Sequence, residues 1–189
     1  MKILIVVATL FLNSCSVSFH RTESDGVRVN DSRVFKYNKN KYKKFRGRLL
    51  DTACIYLKVK EYHNNWTPDT GYNRKTQFVR FFAGGQVLFT ACDSIPNEEL
   101  INNPNVGVPG YYIIEGTKIK VDRFELTNGG QTGKYFGRVL ENGDLIFYEE
   151  RPETYFNSFF LLEKAVGKLK YSLWKKIKYS NRDNHTLTW

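Results

Sequence analysis

The sequence has little that would mark it as an enzyme. Its 189 residues include one methionine, three cysteines, three histidines and five prolines. His20, His63 and His185 lie far apart, and no histidine or cysteine spacing matches a zinc site. There is no G-x-S-x-G elbow, no phosphate-cradling glycine loop and no dinucleotide glycine pattern. The common signatures of hydrolases, NTPases and dehydrogenases are therefore missing, and no cofactor or metal is expected. Adjacent carboxylates, as at Glu98-Glu99 and Glu149-Glu150, read as solvated charge. A carboxylate pair drawn from distant strands would escape such a reading. No apolar run reaches the ~20 residues that a membrane-spanning helix needs.

What the chain does have is aromatic residues and positive charge. It carries 14 Phe, 12 Tyr and 3 Trp, a mixture that suits pleated, half-buried strands. The length fits one domain with a sizeable core. The formal charge is +10. Such a balance usually raises nucleic acid as a partner, but the N-terminus points to export. No nucleic acid is expected, and an anionic membrane surface or acidic polymer fits better.

Met1-Lys2 is followed by an apolar run from Ile3 to Leu12, broken only by Thr9, and then by Asn13-Ser14-Cys15. That order of charged, apolar and small residues is the order of a secretory signal. Leu12-Asn13-Ser14-Cys15 resembles the lipobox of bacterial lipoproteins. The resemblance implies cleavage before Cys15, lipidation of that cysteine and a membrane anchor through its acyl chains. Without Asp after Cys15, it further implies the outer membrane, facing the periplasm. Residues 1–14 are thus the expected signal peptide, and 15–48 a lipidated, basic tether. Residues 16–34 are polar and read as disordered. Residues 36–48 carry seven lysines and arginines without an acid, either as a solvated linker or as a contact with anionic headgroups.

From residue 49 strand signals recur between turns. Strands are expected near 50–62, 76–83, 86–92, 110–115, 118–126, 133–140, 144–150 and 155–163, giving a β-barrel domain over 49–163. Gly84-Gly85, Gly116-Thr117 and Asn142-Gly143 are two-residue hairpin candidates. Across Gly116-Thr117, Ile114 faces Ile119 and Tyr112 faces Val121, with Glu115 opposite Lys118. Phe124 and Leu126 then fall on the polar face, and a bulge near Asp122-Arg123 would restore them to the core. Residues 164–189 form a basic amphipathic segment. Val166, Leu169, Leu173 and Ile177 keep helical spacing, while Leu169, Tyr171 and Leu173 also fit a strand.

Eight consecutive antiparallel strands suggest an up-and-down barrel, mainly β, with a C-terminal helix. All tight turns fall at one end and all long connections at the other. This arrangement resembles the lipocalin-like (calycin) architecture, which implies an apolar cavity behind a loop-rich mouth; a flattened sandwich is the structural alternative. Trp66 and Tyr72 of the 63–75 loop, with the 93–109 loop, are expected at the rim, and Tyr112 on the inner face. Arg80 sits on an apolar face with Phe89 as its expected partner. It is either internally paired or exposes its head while its stem packs; the third reading is a handle for a ligand carboxylate or phosphate. With Cys15 acylated, Cys54 and Cys92 remain as a candidate disulfide in an oxidising compartment, or as two buried thiols. A free tether entering the first barrel strand at the tight-turn end would point the mouth away from the membrane.

The functions consistent with this reading are a membrane-anchored barrel that binds an apolar or amphipathic small molecule, an envelope lipoprotein that docks on a protein or anionic surface, and a hydrolase without a recognisable motif.

Overall fold

Alternation of apolar and polar residues at period two gives each strand one face to bury, and here eight strands bury theirs by closing on each other. The computed structural model describes residues 17–24, 26–37, 50–62, 75–127, 130–148 and 171–179, with backbone only for 60–62. In chain order the elements are β1 (Phe19–Arg21), β2 (Val27–Val29), a 3-10 turn (Ser32–Val34), β3 (Cys54–Tyr62), β4 (Thr76–Phe81) and β5 (Gln86–Cys92). They continue with α1 (Glu98–Asn102), β6 (Val108–Glu115), β7 (Lys118–Glu125), β8 (Gln131–Val139), β9 (Leu145–Tyr148) and β10 (Tyr171–Lys178). Strands β3 to β9 follow one another around a closed antiparallel barrel, and β10 fills the gap between β9 and β3. Full closure leaves the barrel without an exposed sheet edge.

The hairpin at Gly116-Thr117 has the expected register, with Ile114 opposite Ile119 and Tyr112 opposite Val121. The other two tight turns are one residue longer than expected. Phe82 N–H donates to Gln86 O, so Ala83, Gly84 and Gly85 form the loop; Leu140 N–H likewise donates to Asp144 O. Gly85 and Gly143 hold φ of 87° and 85°, the left-handed position that closes a three-residue hairpin loop and favours glycine. The extra residue changes the parity of β4. Arg80 pairs with Leu88, not Phe89, and faces outward.

The closing strand is the main departure from the expected topology. The expected strand at 155–163 lies outside the described residues, as do 164–170 and 180–189. Over 171–178 the helical spacing is overridden: Tyr171–Lys178 is β10, paired with β3 and β9, and its register slips between Leu173 and Trp174. The extra residue is Val59 on β3, while β10 pairs with β9 without a break. The alternation of β10 turns Ser172 and Trp174 into the core, Trp174 being 5% exposed.

Nor are residues 17–37 a free tether. β1 pairs with β2, and Val27 and Phe35 are buried with Tyr111 and Phe124 on the outer wall of β6 and β7. The Phe35 and Tyr111 rings stand 5.2 Å apart, as do those of Phe19 and Phe124. Lys36 N–H donates to the Asp122 carboxylate, which is 1% exposed. This layer explains Phe124 without any bulge: the β6–β7 register runs unbroken from Gly110–Arg123 to Glu115–Lys118.

The 93–107 connection also packs on the outside. Ile101 of α1, fully buried, sits against Ile55 and Phe78, and Tyr179 Oη donates to Pro96 O at 3.1 Å. The connection straps the outer wall of β10, β3 and β4.

Cys54 and Cys92 are both free thiols, so the expected disulfide is not formed. Ile55 pairs with Arg80 and Thr76 with Cys92, so the two cysteines flank β4 from opposite sides, at levels about five residues apart. That offset is roughly 17 Å along the strand and about 9.6 Å across it, whereas a disulfide requires Cα atoms within about 7 Å.

Candidate functional site

The two halves of the barrel interior differ. Toward the tight turns it is filled. Tyr56, Phe81, Tyr112, Ile114, Ile119 and Leu145 are buried together, with edge-on ring contacts of 5.6 Å for Tyr56–Phe81 and 4.9 Å for Phe81–Tyr112. Tyr112 Oη donates to Phe82 O at 2.9 Å, and Tyr56 Oη accepts from Asp51 N–H at 3.0 Å. Each phenol is satisfied locally, as buried hydroxyls require. Tyr112 therefore plugs the closed half and does not line a ligand space.

Toward the long connections the interior opens. A cavity of about 950 Å³ is lined from inside by Gln77, Phe89, Ala91, Arg123, Glu125 and Trp174, and at its rim by Arg21, Ser24, Lys75, Asp93, Leu126 and Thr127. It exists because β5 and β6 part early: their last pair toward this end is Phe89–Val108, so Thr90 to Cys92 have no β6 partner. The cavity spreads through this gap to Phe78, Thr90 and Leu100, under the strap.

Arg123 is the chemical centre of this half. Period-two alternation from Ile119 and Val121 carries it inward, and its guanidinium lies 5.0 Å from the Phe89 ring centroid and 4.2 Å from that of Tyr135. A cation over two ring faces is held electrostatically. Arg123 Nη2 donates to Tyr135 Oη, Tyr135 Oη donates to Glu125 Oε1 at 2.8 Å, and Arg123 stands 4.0 Å from the same oxygen. Gln131 holds the other Glu125 oxygen at 3.4 Å. Arg123 Nε is buried and has no hydrogen-bond acceptor, an arrangement that normally costs stability. Phe89, Phe147 and Trp174 form an aromatic wall beside it, with centroids 5.8 to 6.3 Å apart. Trp174 Nε1 donates to Ser172 Oγ at 2.8 Å, and Lys58 Nζ lies 5.9 Å from the indole.

Of the residues singled out from sequence, Cys15, Trp66 and Tyr72 lie outside the described residues. Arg80 is on the outer wall, where its Nη2 donates to Asn103 O at 3.1 Å and its guanidinium lies 4.7 Å from the Phe82 ring. It anchors the strap. Arg80 and Tyr112 are thus not brought together, and neither lines the cavity. Among the described residues, no group of three or more His, Cys, Asp or Glu gathers as a metal site would need. Compared with family models, curated proteins and solved structures, the chain shows no match.

Proposed function

We propose that this protein is a lipid-anchored, periplasm-facing lipoprotein whose barrel carries a small amphipathic molecule. The observation that carries the reading is the 950 Å³ cavity with Arg123 on its wall beside Phe89, its side chain 28% exposed. Its volume lies in the range of small-molecule sites, which pair an apolar lining with a few placed polar groups. The ionisable groups around it are Arg21, Lys75 and Arg123 against Asp93 and Glu125, which leaves one positive charge over. An apolar tail fits against Phe89 and Trp174, and a head bearing one negative charge or a strong acceptor fits Arg123.

The anchor is supported by the Leu12-Asn13-Ser14-Cys15 motif behind its apolar run. Multiple acyl chains hold a protein on a bilayer where one chain does so only marginally. Titration with a fluorescent fatty-acid analogue tests the carrier reading. Saturable binding at one site per chain is expected, and its absence would overturn the reading.

A further inference from the structure

The polar segment after Cys15 is built into the barrel wall, and this ties the anchor nearer the mouth than a free tether would. Phe19 packs on Phe124 at 5.2 Å, and a Cβ on Gly130 would meet both rings. Phe124 and Gly130 flank the β7–β8 connection, at the loop-rich end. Arg21 and Ser24, just beyond Phe19, form part of the cavity rim. Thr22 Oγ1 donates to Asn105 O and Val27 N–H to Gly107 O, tying the β1–β2 hairpin to that same end.

Ser16, Val17 and Ser18 separate Cys15 from Phe19, four Cα steps in all. Fully extended they span at most about 14 Å. Cys15 is therefore tied within that distance of Phe19, whose nearer barrel end is the mouth.

The rim has the surface chemistry for a seat on the bilayer. Three large hydrophobic residues are exposed among the described residues. One of them, Leu126 at 41%, is at the loop-rich end. Leu126 itself lines the cavity, and Arg21 and Lys75 stand on the same rim. An apolar side chain beside basic ones matches the boundary between acyl chains and anionic headgroups.

We propose that this rim seats on the membrane that holds the Cys15 anchor, so that the cavity takes its ligand, a membrane amphiphile, directly from that leaflet. The ligand part rests on the carrier reading above; the seating does not.

The test uses the full lipidated protein in vesicles of phosphatidylethanolamine and phosphatidylglycerol doped with a photoactivatable phospholipid. Lipid-labelled peptides are then mapped by mass spectrometry. Labels are expected on the segments holding Arg21 and Leu126, and not on the tight turns at 83–85, 116–117 and 141–143. The variant Leu126→Asp should lower the rim labelling about tenfold while leaving the fold, read by circular dichroism, unchanged. Labels on the tight turns, an unlabelled rim, or a protein that does not stay with the vesicles would each overturn the proposal. Rim labels without saturable fatty-acid binding would retain the seating and remove the carrier. Binding without rim labels would do the reverse.

Discussion

Phe35→Ala is the perturbation that separates a packed N-terminal layer from a free tether. Phe35 is 1% exposed, its ring 5.2 Å from Tyr111, in a cluster completed by Val27 and Phe124. Truncating a buried phenylalanine costs about 3–5 kcal/mol. Loss of the whole ring therefore removes most or all of the free energy that holds residues 17–37 to β6 and β7. If the layer opens on its own, the cost appears as local exchange. Val27 N–H, bonded to Gly107 O at 3.0 Å, and Asn30 N–H, bonded to Ser18 O at 3.1 Å, report on it. A loss of 3 kcal/mol corresponds to an increase of about 100-fold in their hydrogen-exchange rates. If the layer opens only with the barrel, Tm falls by roughly 6–12 °C. Equal exchange rates and equal Tm in wild type and variant would refute the packing and return this segment to the tether its polar composition suggests.

Three other outcomes follow from the packing. Mass spectrometry of the folded protein under non-reducing conditions should find Cys54 and Cys92 both reduced. Cys54 should alkylate very slowly at pH 8, since burial and the Asp51 carboxylate push its thiol up to about 11. Burial alone would raise Asp51, yet hydrogen bonds from Lys176, Cys54 and Ala53, with the Lys176 charge, bring it down to about 2 from 3.8. Its contribution is thus complete above about pH 4 and lost as pH falls toward 2. Discounted for solvent screening it is about 1 kcal/mol, and Asp51→Asn should flatten the acid limb of a stability–pH curve by that amount. Gly137→Ala places a Cβ 2.2 Å from Ile146 O in the β8–β9 ladder and should cost about 3 kcal/mol in urea unfolding. Gly116→Ala meets nothing within 4 Å and bears only its φ of +63°, so its cost should stay at about 1–2 kcal/mol.

The strand pattern and the closed barrel are legible in the sequence because period-two alternation and glycine-marked turns are local signals. Three things were hidden, each by a non-local cause. The covering of the β6–β7 outer wall makes Phe124 look out of phase, since an apolar residue on the outer face is unexpected until something covers it. The same covering hides the site, because a bulge that returned Phe124 to the core would reverse the residues beside it. Unbroken alternation from Val121 points Arg123 and Glu125 inward, and a bulge would have turned them out. A two-residue turn would pair Arg80 with Phe89; the extra loop residue at Ala83 to Gly85 pairs it with Leu88 and puts it on the outer wall. The closing strand was masked because Leu169, Leu173 and Ile177 satisfy both periods, and only the vacancy between β9 and β3 chooses strand.

In the proposed function, Arg123 receives the head of an amphipathic ligand whose tail lies in the cavity. Arg123→Met keeps an unbranched stem between Phe89 and Tyr135 and removes the guanidinium. The direct measurement is the Kd of a fluorescent fatty acid and of its methyl ester for wild type and for this variant. A charge-assisted hydrogen bond contributes about 1.5–3 kcal/mol, so the variant should bind the acid roughly 10- to 100-fold more weakly and the ester nearly as before. Equal affinities of wild type and variant for the acid would contradict this role.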